Sequence, residues 1–426
     1  MDSYILKGNI FYSAKPDEIS INENSYVICE NGCCRGVFKH IPKQYEKLKV
    51  YNYEDKLIIP GLVDLHIHAP QYAFKGIGMD MELLDWLDNQ AFPEEIKYNN
   101  VDYAIKAYSI FSNDLKNSAT AYASVFATIH RESTIVLMDL LEQTGLKTYV
   151  GKINMDRLAP DELTEKSADY SAFDTFGWIN KTYNKYKNTK PILTPRFLPS
   201  CSDELLNELK QIKLTYDDLP LQSHLSENPN EVELVKTLFP NSKFYADGYD
   251  HYSLFGTGNQ KTIMAHCIYS TDEEIELIKK NGVFVAHCPA SNMNLASGIC
   301  PVRKFMDLGV NVGLGSDIAG GHSISIFRCI TDAIQLSKLY WRIIDNNCKA
   351  LTLDEAFYLA TKGGGKFFGD VSSFEKGYEF SAVVIDDTNI ENAFELNARQ
   401  RLEKAIYSLL DSNCICAKFI ADKKLI

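Results

Sequence analysis

An apolar run that ends in two histidines reads Pro60-Gly61-Leu62-Val63-Asp64-Leu65-His66-Ile67-His68. On a β-strand, residues i and i+2 point to the same side, so His66 and His68 can both reach one metal ion. A His-x-His pair alone is weak evidence for such a site. Its position at the end of an apolar strand strengthens the prediction, because barrel enzymes build their sites at that end.

Seven more apolar runs follow, with amphipathic segments between them. The eight runs are Ile58–His68, Ala121–His130, Leu146–Asp156, Pro191–Leu198, Leu219–Ser226, Thr262–Tyr269, Val283–His287 and Val310–Asp317. Continuous apolar runs are typical of parallel strands that are buried on both faces. Leucines within 204–212 have helical spacing, and Ser270 with Glu273 predicts a capping box that starts another helix. Eight alternating units indicate an α/β fold with a (β/α)₈ barrel of the TIM type.

Both ends of the chain differ from this middle. Tyr4–Ile10 and Ser25–Cys29 are β-rich runs, residues 379–385 form another, and Cys414–Ile426 is typical of a hairpin around Ala421. Because these segments flank the barrel, we expect them to pair with each other into one small β unit.

Composition excludes several classes of protein. The 426 residues carry 44 basic and 56 acidic side chains, a net charge of −12, and no basic tract that would bind a nucleic acid. Eleven cysteines form no regular framework, and Met1–Ile10 lacks the apolar core of a signal peptide. No run approaches the ~20 apolar residues of a membrane span. We therefore expect a cytoplasmic protein that binds neither nucleic acid nor membrane.

Three more candidate ligands close later strands. His224 ends the fifth run, His266 the sixth and Asp317 the eighth. Each alone could be a hydrogen-bonded residue at a strand end, and Asp317 could be a helix N-cap. Together with His66 and His68 they form a set that suits a zinc-like ion with one position left for water, although iron or manganese also accepts these ligands.

Other polar residues near these strand ends each allow two interpretations or favour a structural role. Glu227, three residues after His224, can carry protons between a water and a substrate, or can be a solvated loop carboxylate. His287 can orient a water or be an ordinary strand-end histidine. His130 begins a His-x-Glu sequence, but the chain lacks the Pro-Cys-x-x-Cys of cytidine-deaminase zinc sites, so we expect a structural role.

The order of these motifs resembles the amidohydrolase superfamily. The resemblance runs from Pro-Gly-x-x-Asp-x-His-x-His through His-x-x-Glu and His to Ser-Asp, over about residues 60–370. It implies a barrel domain at 60–370 and a composite β-sandwich domain built from 1–59 and 371–426. It also implies that His66, His68, His224, His266 and Asp317 hold one zinc ion per subunit, that Glu227 is the proton shuttle, and that the protein is a homodimer.

A narrower resemblance is to the guanine-deaminating members of that superfamily. It is carried by His68-Ala69-Pro70-Gln71-Tyr72, Leu84-Asp85-Trp86-Leu87, Phe92-Pro93-Glu94, Gly151-Lys152-Ile153-Asn154-Met155-Asp156 and Pro195-Arg196-Phe197. It implies that Gln71, Arg196 and Phe197 hold the purine, with His224 beside it. Without the resemblance, Gln71 could be a loop amide, Arg196 a surface cation at a strand end, and Phe197 a ring packed in the core. Phe380-Ser381-Ala382 departs from the family pattern, which usually has an aspartate before the alanine.

The resemblance implies hydrolytic deamination of guanine to xanthine and ammonia. A metal-activated water would attack C2, with Asp317 deprotonating the water and Glu227 moving a proton to N3. Three alternatives stay open. The chain could deaminate a modified purine, a pterin or a triazine; it could be a binuclear hydrolase with a carbamylated lysine; or it could be an inactive scaffold. The five retained ligands disfavour the scaffold, and Arg196-Phe197 stands where a carbamylated lysine would be needed.

Overall fold

The computed structural model describes residues 3–256, 258–408 and 414–426. Its strands are β1 (Tyr4–Lys15), β2 (Glu18–Glu30), β3 (Cys33–Phe38), β4 (Lys49–Ile59), β5 (Leu62–His68), β6 (Thr120–Phe126), β7 (Lys147–Gly151), β8 (Ile153–Asn154), β9 (Thr189–Pro191), β10 (Thr194–Pro195), β11 (Leu221–Leu225), β12 (Thr262–His266), β13 (Phe284–His287), β14 (Asn311–Leu314), β15 (Ser381–Ile385), β16 (Ile415–Ile420) and β17 (Lys423–Lys424).

The α-helices lie mainly between the central strands. They are α1 (Leu83–Trp86), α2 (Phe92–Ile96), α3 (Val101–Asn117), α4 (Arg131–Thr144), α5 (Ala168–Thr182), α6 (Asp203–Thr215), α7 (Pro229–Leu238), α8 (Tyr245–Asp250), α9 (Asp272–Lys280), α10 (Pro289–Asn294), α11 (Val302–Asp307), α12 (Ile326–Leu339), α13 (Leu353–Tyr358) and α14 (Ala398–Ser408). Among the described residues, no helix is both long and apolar enough to cross a membrane.

The central strands close into a barrel, which confirms the predicted fold. Strands β5, β6, β7 and β9 form one parallel arc, and β11 to β14 form the other. A bridge between Leu193 and Leu221 joins the arcs on one side. On the other side, Asp317 N donates to His66 O at 2.8 Å, and His68 N donates to Ile318 O at 3.0 Å. Closure therefore brings the ends of the first and last strands, with their polar residues, into contact.

The terminal strands form a single sheet in the order β17-β16-β15-β4-β1-β2-β3. Alternate residues of β4 divide between two cores, because successive side chains of a strand face opposite ways. Leu57 and Ile59 pack in the main core with the barrel, and Ile58 packs in a smaller core that includes Phe419 and Phe380. The sheet is thus attached to the barrel by one face. The two layers of a sandwich and the cuts after residues 59 and 370 stay predictions.

Three local predictions were wrong. The run at 58–68 is two strands, because the chain leaves the terminal sheet at Ile59 and enters the barrel at Leu62. The second barrel strand ends at Phe126, so His130 is the residue before α4 and not a strand end. The cap of α9 is Thr271, whose side chain accepts from Glu274 N, and not a box of Ser270 with Glu273.

Candidate active site

Four imidazoles and one carboxylate converge at the carboxyl end of the barrel. His66 Nε2 lies 3.1 Å from His68 Nε2, which lies 3.3 Å from His224 Nε2. Asp317 Oδ1 is 3.1 Å from His66 Nε2 and 3.4 Å from His68 Nε2. His266 Nε2 stands further out, 3.6 Å from Asp317 Oδ2. The structure thus brings together all five residues that the sequence singled out as ligands.

The imidazoles present their Nε2 atoms because Nδ1 is occupied in two of them. His224 Nδ1 lies 2.6 Å from Arg196 O, and His266 Nδ1 lies 2.9 Å from Asn292 Oδ1. A ring that donates from Nδ1 keeps a lone pair on Nε2, which is the form that binds a metal. Burial and the neighbouring imidazole of His66 lower the pKa of His68 and of His224, so both rings are neutral.

A cation fits this arrangement of donors. Neutral imidazole nitrogens that face each other at hydrogen-bond distance have opposed lone pairs, and only a shared positive charge satisfies all of them. The carboxylate is suited to the same role. Burial by itself would raise the pKa of Asp317, but His66, His266 and His68 hold it below its ordinary value. Three overlapping groups have ligand atoms within 4.8 Å of one another: His66, His224 and His266; His66, His68 and Asp317; and His266, Cys288 and Asp317.

Four residues at or next to the cluster have left-handed backbone conformations. His266 has φ of 73°, Cys267 of 53°, Asp317 of 47° and Ser226 of 49°. Left-handed conformations are uncommon outside glycine and persist where the surrounding structure enforces them, often at functional sites. Asp64 helps to hold the backbone next to Asp317 in place. Its carboxylate accepts from His66 N at 3.1 Å, from Ser316 N at 3.0 Å and from Ser316 Oγ at 2.5 Å.

Glu227 lies beside the imidazole cluster and is held from two directions. Its Oε1 accepts a hydrogen bond from Ser297 Oγ at 3.1 Å, and its Oε2 lies 3.3 Å from His266 Nε2. Its backbone N donates to Glu231 Oε2 at 3.0 Å, and Tyr245 OH donates to the other oxygen of Glu231 at 2.6 Å. Burial, with the nearby charges of Asp317 and Glu231, raises the pKa of Glu227 well above its ordinary value. The carboxyl group therefore keeps a proton more readily than a solvated glutamate does.

A cavity opens onto this cluster. Its walls include the polar residues Gln71, Arg196 and Glu227 and the apolar side chains of Leu83, Trp86, Leu87, Phe197 and Leu295; His68, His224, His266, Asp317 and Gly320 complete its lining. Pockets that bind small molecules are typically apolar with a few converging polar groups, as this one is. The three residues expected to hold a purine, Gln71, Arg196 and Phe197, all line it.

The remaining histidines that the sequence singled out lie outside the cavity lining. His287 is buried at the end of β13, and neither ring nitrogen has a hydrogen-bond partner among the described residues. Burial, and then the neighbouring His266, lowers the pKa of His287 to about 3, which keeps the ring neutral. His130 lies at the start of α4, against a surface cavity lined also by Arg131 and Glu165.

Sequence reasoning missed four residues that hold the site together. They are Asp64, Glu231, Ser297 and Glu95, whose carboxylate accepts hydrogen bonds from Gln71 and Arg196. Glu231 had a recognisable signal, since Asn228 and Glu231 form the capping box that begins α7. Glu95 immediately follows the quoted Phe92-Pro93-Glu94. Asp64 lies two residues before His66, in the quoted Pro-Gly-x-x-Asp-x-His-x-His motif. Ser297 gave no local pattern that would separate it from other loop serines.

Comparison with known proteins agrees with this geometry. Residues 57–418 match the amidohydrolase family. The chain belongs to the amidohydrolase family. It is 36% identical to a guanine deaminase of Dictyostelium discoideum, over 90% of this chain and 88% of that protein. It is 40% identical to a probable guanine deaminase of Schizosaccharomyces pombe, over 78% of this chain but 63% of the length of that protein.

The amidohydrolase fold is matched over the whole chain by a crystal structure. This is a guanine deaminase from C. acetobutylicum with guanine bound in its active site, and the two chains are 46% identical. The superposition covers 100% of each chain, with a TM-score of 0.96. Amidohydrolases are typically metal-dependent, and this amidohydrolase has a buried group of histidines and an aspartate that can hold a metal.

Proposed function

We propose that this chain is a guanine deaminase that hydrolyses guanine to xanthine and ammonia. The observation that carries the proposal is the cavity, whose lining combines Gln71, Arg196 and Phe197 with Glu227 and imidazoles of the cluster. The likeness to a guanine deaminase with bound guanine supports the same substrate.

His66, His68, His224, His266 and Asp317 hold one zinc ion per chain in this proposal. The shortest contacts join four of them, and His266 contributes from the side of Glu227. When bound, such an ion lowers the pKa of a water toward ~7 and so supplies a nucleophile at neutral pH.

The protein's own carboxyl groups move the protons. Asp317, whose pKa is held low, accepts a proton from the water as its oxygen attacks C2. Glu227, whose pKa is raised, is protonated readily and delivers its proton to N3, where negative charge would otherwise build up. The bond between C2 and the exocyclic amine then breaks as the amine takes the proton held by Asp317 and leaves as ammonia. The new hydroxyl at C2 returns its proton to Glu227 and becomes a carbonyl.

Three side chains orient the purine. Guanine has acceptors at O6 and N7 on one edge, and the guanidinium of Arg196 and the amide of Gln71 donate to such groups. Phe197 offers a ring face for stacking. His224 belongs to both the proposed metal site and the proposed purine site. It lines the cavity, and its Nδ1 contacts Arg196 O. Adenine has an amine where guanine has O6, so these donors reject it.

The test is ammonia release from guanine by zinc-loaded protein, with adenine and metal-stripped protein in parallel. Release from guanine alone, lost on stripping and restored by zinc, is the expected result. No release from guanine by the loaded protein would overturn the proposed substrate, and pterins, triazines and modified purines would then be assayed. The homodimer and the cytoplasmic location implied by the resemblance stay predictions.

A further inference from the structure

A buried carboxylate lies directly behind the two donors of the cavity. Glu95, on α2, is 1% exposed. Its Oε1 accepts a hydrogen bond from Gln71 Nε2 at 2.9 Å, and its Oε2 accepts from Arg196 Nη1 at 2.5 Å. Phe92, one helical turn before Glu95, places its ring 5.1 Å from the Arg196 Cζ. One short helix therefore fixes both groups that face the substrate.

Glu95 also decides which atoms these groups present. An ionised carboxylate only accepts hydrogen bonds, so both atoms that touch it must be donors. The Gln71 amide is fixed from its other end as well, because Ala319 N donates to Gln71 Oε1 at 3.1 Å. One N–H of Gln71 and the remaining N–H groups of Arg196 are then left for the cavity. A glutamine in place of Glu95 would have only one acceptor oxygen. Its NH2 group would then face the N–H donor of either Gln71 or Arg196.

The same carboxylate cancels a buried positive charge. The side chains of Arg196 and Glu95 are 3% and 1% exposed, so solvent screens neither charge. Without Glu95, the cavity would carry an uncompensated guanidinium, and charges act strongly over short distances away from water. Guanine is neutral near neutral pH. Xanthine, with ring N–H groups next to two carbonyls, loses a proton more easily and becomes an anion.

We infer that Glu95 is a positioning residue with two effects: it holds Gln71 and Arg196 as donors, and it weakens the attraction of the cavity for anionic purines. The substrate is then bound as a neutral base, and the product is held less tightly when it ionises. This inference rests on the proposed function.

Other titratable groups surround Arg196 and Glu95, and variants at residue 95 leave these groups unchanged. Behind Glu95 are Tyr98 and Tyr108, whose pKa values burial raises, so both rings are neutral. On the cavity side are His68, His224, Glu227, His266 and Asp317. A variant at residue 95 must therefore be compared with a control that keeps the charge at that position.

The experiment measures xanthine binding to zinc-loaded, full-length protein by calorimetry at about pH 6 and about pH 8.5. The proteins are wild type, Glu95→Gln and the matched control Glu95→Asp. In Glu95→Gln, xanthine affinity should rise between the two pH values by at least about tenfold more than in wild type. Glu95→Asp should keep the wild-type ratio, even though its shorter side chain weakens binding at both pH values. If Glu95→Gln does not fold, Glu95→Ser, with room for a water that accepts from both donors, replaces it.

The possible outcomes separate this inference from the proposed function. A purely structural role would weaken binding equally at both pH values, so a wild-type ratio in Glu95→Gln overturns the inference alone. A raised ratio in Glu95→Asp would overturn it too, because that variant keeps the carboxylate. If zinc-loaded wild type releases no ammonia from guanine, the proposed function fails and the inference fails with it.

Discussion

Glu227 Oε2 and His266 Nε2 lie 3.3 Å apart, closer than His266 Nε2 lies to Asp317 Oδ2 at 3.6 Å. His266 is thus placed between two carboxyl groups, whereas His66, His68 and His224 face one another. Its other ring nitrogen is fixed by Asn292. Of the five proposed ligands, His266 is therefore the one that faces the proposed proton shuttle, and its Nε2 lies farther from the Asp317 carboxylate than that of His66 or His68 does.

This placement predicts different losses from two histidine variants. His266→Asn should lower zinc affinity by at most about tenfold, while His68→Asn should lower it by more than the roughly 100-fold that loss of an outer partner can cost. Both variants should lose most guanine turnover. The measurement is zinc competition against a chelator, with exposed His251→Asn as the control. Equal zinc loss in the two variants would contradict the distinction.

Replacement of Glu227 tests the proton shuttle. Glu227→Gln keeps the shape of the side chain but cannot exchange a proton, so guanine turnover should fall by about 10²–10⁴-fold. Zinc content should stay at the wild-type level, because the amide preserves the bond to Ser297. Glu233→Gln, an exposed position on α7, which begins two residues after Glu227, is the matched control and should leave turnover unchanged. Near-normal turnover of zinc-loaded Glu227→Gln would show that another group moves the proton.

Lys213 predicts a pH dependence of stability. Its side chain is buried on α6, and burial lowers the pKa of its amine from 10.5 to about 8. Between about pH 8 and pH 10.5, the amine of Lys213 is neutral in the folded protein but still charged in the unfolded chain. The unfolded state therefore binds more protons in this range. The free energy of unfolding therefore rises with pH through that window, and the cost of the buried charge is fully present below about pH 8.

Lys213→Met should remove that cost. The variant should be more stable than wild type at pH 7 by at most about 3 kcal/mol, and the difference should shrink to nothing near pH 10.5. Thermal unfolding across this pH range measures it. Lys210→Met, a partly exposed position on the same helix, should show no such trend. If Lys213→Met were more stable than wild type by the same amount at every pH, the gain would come from packing alone.

Gly61 lies where the terminal sheet approaches the barrel too closely to leave space for a side chain. A Cβ at this position would collide with Ala121 Cβ and lie 3.2 Å from Ser381 Cβ. Gly61→Ala should therefore destabilise the protein by about 1–3 kcal/mol. Gly177→Ala, within α5, meets only the end of the Arg131 side chain and should be neutral or stabilising by up to about 1 kcal/mol. Unchanged thermal stability of Gly61→Ala would show that the two units move apart freely.

Several features of the protein follow from the sequence alone. Continuous apolar runs with helical segments between them determine parallel strands, and eight such units close into a barrel. His66 and His68 must share a face because the strand repeat is two residues. His224, His266 and Asp317 were recognisable because each follows an apolar run, and the ends of parallel barrel strands meet on one side.

Only the tertiary structure decided the contacts between residues that are distant in the chain. Glu95 is separated from Arg196 by about a hundred residues, and no local pattern predicts that its carboxylate satisfies both Arg196 and Gln71. The same holds for Ser297 against Glu227. Local periodicity fixes which way a side chain points relative to its own strand or helix, but the partner it meets depends on barrel closure and on loop paths. The sequence thus determined the kind of site, and the fold determined how its charges are paired.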